Sequence, residues 1–185
     1  MTFIHKLMMV MLLVGVCVFS VHVKNRSLQI LNASKLAALP DGGQMPDFTL
    51  KDTVGREWNL KKTAANNTVL VINFWGTWCG PCRLEMPEME RIYKSQKGNK
   101  FIILAIDEGD DRAALDSYLK DRPVDFPVLI DPDGKFAQSL GIHVFPTSIL
   151  VGHDGKIIQV IEGINPDWIE SAISWRLSET RSNHE

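Results

Sequence analysis

The chain has 185 residues, 45% of them apolar and 23% charged, and a formal net charge of −2. That length accommodates one well-buried domain plus a tail or anchor, and the composition excludes disordered, collagen-like and repeat architectures. The near-neutral charge leaves no basic footprint, which argues against nucleic-acid binding.

The first element spans residues 1–24. Leu7 to Val23 contains no Lys, Arg, Asp or Glu, and as a helix it would reach roughly 26 Å, nearly a bilayer's hydrocarbon thickness. We read it as an uncleaved single-pass anchor. The alternative, a cleaved signal peptide, has a shorter apolar core and a small-residue exit site, for which Val18-Phe19-Ser20 is a mediocre candidate. Cys17 lies inside this segment behind Val16, where a lipid-bearing cysteine would need a small residue, so it reads as an apolar membrane-helix residue. Lys6 on one side and Lys24 and Arg26 on the other leave the orientation to be set by the chemistry of the domain. The chain beyond residue 26 carries 17 basic against 22 acidic residues, which favours solubility and identifies no substrate.

Residues 25–43 read as a linker closed by the turn cluster Leu39-Pro40-Asp41-Gly42-Gly43. A domain over residues 44–180 follows, with a polar tail at 181–185. Asp47 to Leu50 and Glu57 to Leu60 alternate around Asp52-Thr53-Val54-Gly55, which predicts a β-hairpin. Val69 to Trp75 is an apolar, strand-like run interrupted only by Asn73, and Cys79-Gly80-Pro81-Cys82 follows it after three residues.

Two thiols at that spacing at a helix start face one point. The first can attack a disulfide and the second can resolve the mixed disulfide, so the pair reads as a redox dithiol. A structural zinc site would need a second ligand pair, and the only other cysteine is Cys17. A peroxiredoxin signature would need Pro in place of Ile72 and Thr in place of Gly76.

Leu84, Met86, Met89, Ile92 and Tyr93 then recur at helical spacing up to about Gly98, with Pro87 inside the helix rather than at its end. Phe101 to Ile106 predicts a buried strand, Arg112 to Lys120 a helix, Phe126 to Ile130 a strand and Lys135 to Leu140 a short helix. Asp107, Glu108, Asp110 and Asp111 read as a solvated loop and helix start. A second hairpin, Thr147 to Val151 and Lys156 to Ile161, precedes a last helix opened by Pro166. The pattern is α/β: a central mixed sheet flanked by helices, with an N-terminal β-hairpin extension.

Three stretches carry a family resemblance: Met45-Pro46-Asp47-Phe48-Thr49-Leu50, Asn73 to Cys82, and Val144-Phe145-Pro146-Thr147 followed by a strand and an Asp-Gly turn. Over roughly Gln44 to Trp175 the chain resembles membrane-anchored, thioredoxin-like proteins of the TlpA/ResA class, related to the thiol–disulfide proteins of cytochrome c maturation. The resemblance implies a thioredoxin-like fold, a monomeric domain and no cofactor. It also implies protein disulfide or dithiol substrates, apocytochrome c among them, and a membrane thiol as electron donor. The catalytic domain would face the periplasm or exterior from the inner membrane.

Placement gives each residue an expected role. Cys79, at the exposed N-terminal edge of the helix, is the nucleophile, Cys82 resolves, and Gly80 and Pro81 shape the turn between them and join Trp78, Phe145 and Pro146 as expected substrate-binding residues. The resemblance implies a cis Phe145–Pro146 bond facing the dithiol, with the backbone of Phe145 pairing with substrate; the alternative is an ordinary trans proline ending a loop. Asn73 stands where general thioredoxins place a buried Asp. Glu85, acidic also in ResA-like members, is assigned to acid/base work or pKa tuning, against the alternative of a solvated helix glutamate contributing little to stability. Trp75 reads as packing, Trp78 as an exposed docking face, and His143 as an isolated loop histidine. The rival functions are a disulfide oxidase or isomerase, and a metal-binding module using Cys79, Cys82 and His143.

Overall fold

The computed structural model describes residue 39, residues 42–66 and residues 69–182. The expected anchor, Cys17 and most of the linker lie outside them. Among the described residues no helix is long and apolar enough to cross a membrane.

The elements are β1 (Thr49–Lys51), β2 (Glu57–Asn59), α1 (Leu60–Asn66), β3 (Val69–Trp75), α2 (Gly80–Ser95), β4 (Phe101–Glu108) and α3 (Arg112–Asp121). They continue with β5 (Val128–Asp131), α4 (Lys135–Ser139), β6 (Thr147–Gly152), β7 (Ile157–Glu162) and α5 (Pro166–Ser182). The main sheet has the order β5-β4-β3-β6-β7. β3, β4 and β5 run parallel, and β6 and β7 are antiparallel to their neighbours. This is the α/β thioredoxin-like architecture that the sequence predicts.

Burial explains why β3 reads as an apolar run broken only by Asn73. Val69, Val71 and Trp75 pack on one face with residues of α2, α3 and α5. Leu70, Ile72 and Phe74 pack on the other with Leu60, Ala137 and Leu140. A central strand covered on both sides has no solvent face to alternate towards. Each fully buried aliphatic side chain contributes about 1.5–3 kcal/mol.

The β1–β2 hairpin docks on the free edge of β5, where the Thr53 amide donates to the Val128 carbonyl at 3.0 Å. Its turn is organised by Asp52, whose carboxylate accepts from the amides of Val54 and Arg56, the Arg56 side chain and the Trp58 indole. Burial pushes that carboxyl up, but these bonds outweigh it and hold it below the usual range. At the opposite edge, Gly42 and Gly43 exchange backbone hydrogen bonds with Ile157 of β7. Contacts of the domain thus reach back into the stretch read as linker.

Several boundaries differ from expectation. Leu60 opens α1 instead of extending a strand, because the Asn59 side chain caps the helix by accepting from the Lys62 amide at 3.1 Å. Strand β5 starts at Val128 because Pro127 cannot donate to a ladder, although its carbonyl accepts from the Ala105 amide at 3.0 Å. Helix α2 continues through Pro87 as expected, but ends at Ser95, short of Gly98. Helix α5 runs to Ser182, past residue 180. The largest difference is β4, which includes Asp107 and Glu108: Asp107 pairs in register with Trp75 on one side and Ile130 on the other. Flanked by two strands, Asp107 is fully buried, not part of a solvated loop.

Candidate active site

Strand β3 delivers the chain to the C-terminal edge of the sheet, where Gly76-Thr77-Trp78 turns it into α2. Cys79 is the N-cap of that helix, with extended backbone, and its Sγ accepts from the Cys82 amide at 3.2 Å. Pro81 sits in the first helical turn, where its missing N–H has no partner to lose. Cys79 and Cys82 are joined as a disulfide, with Cα atoms 5.3 Å apart. In this oxidised state both are buried, 4% and 1% exposed respectively. Cys79 therefore lies less open than its position at the helix edge predicts, although it keeps the greater exposure of the two. Gly80 and Pro81 between them are exposed.

The cis Phe145–Pro146 bond is present, ending the loop that enters β6. Phe145 meets Trp78 edge to face, with ring centroids 5.2 Å apart. Trp78 itself is 55% exposed, and its indole N–H donates to the Glu108 carbonyl at 2.9 Å. Gly76 makes this pose possible, since a Cβ there would collide with the indole. Trp75 is fully buried against Tyr118, in keeping with a packing role. His143 is exposed on the loop before the cis bond.

Beneath the dithiol lies Glu85, one turn beyond Cys82 and only 2% exposed. One carboxylate oxygen accepts from the Asn73 side-chain amide at 3.1 Å and the other from the Asn165 backbone amide at 3.3 Å. Asn73 also donates to the Ser148 hydroxyl at 2.9 Å. Burial pushes the Glu85 carboxyl up, and the bonds from Asn165 and Asn73 only partly offset it. The reading as a solvated helix glutamate is therefore overturned. The native state also holds this proton more tightly than the unfolded chain does. Its contribution to stability is full below the ordinary carboxylate pKa and is lost as pH rises through the elevated value.

A second acidic group escaped the sequence reading. The Asp110 carboxylate, 9% exposed, accepts from the Thr77 amide at 2.6 Å and from the Thr77 hydroxyl at 2.7 Å. It ties the turn between β4 and α3 to the segment leading into Cys79. Asp111 caps α3 by accepting from the Ala114 amide, as a helix start should. Of the acids read as solvated, Asp107 and Asp110 are buried. The only signal in the sequence was their nearness to a strand end. Among the described residues no group of three or more His, Cys, Asp or Glu could hold a metal ion.

A dithiol at a helix N-terminus, a cis-proline loop and a thioredoxin-like sheet together define a thiol–disulfide oxidoreductase. Residues 40–173 match the Redoxin family, and the chain belongs to that family. It is 37% identical over 130 residues to the thiol-disulfide oxidoreductase ResA of Bacillus cereus (strain ATCC 10987 / NRS 248), an alignment covering 70% of this chain and 74% of that protein. Against ResA of Bacillus subtilis (strain 168) the identity is 33% over 126 residues, or 68% and 69% of the two chains. Among solved structures, a thiol:disulfide interchange protein from Bacteroides sp. superposes with a TM-score of 0.67 at 22% identity, covering 76% of this chain and 92% of that one. That likeness bears on the fold alone.

Proposed function

We propose that this oxidoreductase reduces protein disulfides outside the cytoplasmic membrane, with apocytochrome c as one substrate class. The observation that carries the direction is Gly80-Pro81 between the cysteines, the dipeptide of thioredoxin, a reductant at about −270 mV, and not of strong oxidants near −120 mV. The ResA relatives, thiol-disulfide oxidoreductases by name, support the exchange chemistry on which this reading is built.

In the reduced enzyme, Cys79 attacks one sulfur of the substrate disulfide. The substrate S–S bond breaks, a Cys79–substrate bond forms, and the released substrate sulfur takes a proton. The helix N-terminus stabilises the attacking thiolate. Cys82 loses its proton and attacks Cys79 Sγ, which expels the second substrate thiol and leaves the Cys79–Cys82 disulfide. Two electrons pass to the substrate, and a membrane thiol donor restores the dithiol. Protonated Glu85 can donate to sulfur, and its carboxylate can accept the proton of Cys82. An extended substrate segment pairs with the backbone of Phe145 beside Pro146, while Trp78 and Phe145 offer the apolar contact.

This reading needs Leu7 to Val23 as a signal anchor, with the amino terminus in the cytoplasm. Reporter fusions after Glu185 test it: activity of an export-dependent reporter is expected. Activity of a cytoplasmic reporter alone would overturn both the export claim and the cytochrome reading, leaving a general reductase.

A further inference from the structure

Asp107 has no role in the exchange chemistry above, yet it is fully buried and neither of its oxygens meets a hydrogen-bond donor. A buried carboxylate without donors is strongly disfavoured, and keeping the proton avoids it. The groups acting on it are Asp110, Glu108 and Asp131, all acidic. On the helices packed against this face, the guanidinium groups of Arg83 and Arg122 act instead on Tyr118 of α3. A protonated Asp107 gains what an ionised one lacks, because its O–H can donate to the Asp110 carboxylate. Asp110 is the group that holds Thr77 by two hydrogen bonds.

We propose that a protonated Asp107 donates to Asp110 and that the two act together as a positioning clamp on Thr77-Trp78, the segment that presents Cys79. Asp107 and Asp110 are positioning residues, not catalytic ones: neither is placed against the reacting sulfurs. The inference rests on the dithiol exchange chemistry, and not on its direction, substrate or compartment. With the proton in place, Asp107 donates to Asp110, and Asp110 accepts from Thr77. Once the proton leaves, two carboxylates face each other in a poorly solvated site. Asp110, at the surface end of the pair, relieves the repulsion by turning outward, which releases Thr77. Burial first, and then the Asp110 carboxylate, push the Asp107 carboxyl up to about 9, so the clamp is closed at neutral pH and opens in the alkaline range.

The test uses the full chain in detergent micelles in its oxidised form, where no catalytic thiol can titrate. The Thr77 amide and Trp78 indole N–H resonances are followed from about pH 6 to 10.5. A common inflection near 9 is expected in the parent, to be abolished in Asp107→Asn, which keeps a neutral donor toward Asp110. Tyr118 is intact in both proteins, so any inflection it causes survives the substitution. In reduced protein, disulfide exchange by the parent should match Asp107→Asn at neutral pH and fall several-fold behind it above the inflection. Flat Thr77 signals in the parent, or the same inflection in both proteins, would overturn the clamp. Should Asp107→Asn not fold, 13C-carboxyl labelling of aspartate in the parent decides. One carboxyl titrating near 9 together with Thr77 supports the proposal, and all aspartates titrating below about 6 contradict it.

Discussion

Replacing Cys82 with serine is expected to stop turnover and leave one substrate chain covalently held on Cys79, while Cys79→Ser loses exchange down to the buffer background and traps nothing. Both variants are best made with Cys17→Ser, so that a single thiol remains. The asymmetry follows from the helix start. Cys79 is the N-cap, where unpaired amides and the helix dipole favour a thiolate, and the Cys82 amide donates to its sulfur. Cys82 lies deeper, at 1% exposure, where an incoming protein disulfide is obstructed but the neighbouring sulfur of Cys79 is within reach. Non-reducing electrophoresis and mass spectrometry of the adducts distinguish the roles. Adducts on Cys82 in the Cys79→Ser protein would reverse them.

Glu85→Gln is expected to slow disulfide exchange by about tenfold or more, the lower range for loss of a positioned acid/base group. It should also shift the inflection of Cys79 alkylation to lower pH. The sign follows from the carboxylate, a like charge one turn beyond Cys82 that disfavours a thiolate in the dithiol; glutamine cannot carry it. Stability should change by no more than about 1 kcal/mol at acid pH, where Glu85 is protonated in both states. There the new amide can still accept from Asn165, and Asn73 can turn its own amide to match. As pH rises through the elevated Glu85 value the parent loses stability that the variant retains, so the variant becomes relatively more stable. Alkylation rates and chemical denaturation across pH 5 to 10 read both effects. Superimposable profiles would leave Glu85 a structural residue only.

Much of this site was legible in the sequence because its signals are local. The run Val69 to Trp75, apolar but for Asn73, announces a strand buried on both faces, and the cysteine spacing after it announces the helix start. What the sequence concealed depends on distant partners. Glu85 is buried because Asn73 and Asn165, the latter 80 positions away, close over it. Asp107 and Asp110 look like surface acids until parallel pairing with Trp75 and Ile130 carries β4 two residues further than its apolar run. Helix α1 was hidden for a different reason. Trp58 and Leu60 alternate like a strand, and only the Asn59 side chain, capping at Lys62, marks the switch of period.

The reduction potential of the Cys79/Cys82 pair tests the proposed direction most directly. The full chain, equilibrated in thiol/disulfide buffers of defined poise, is quenched by alkylation, and its reduced fraction is counted by mass. A reductant carrying Gly80-Pro81 should lie near thioredoxin, at about −270 mV. A value near −120 mV, the range of strong oxidants, would contradict it and make this dithiol a donor of disulfides instead.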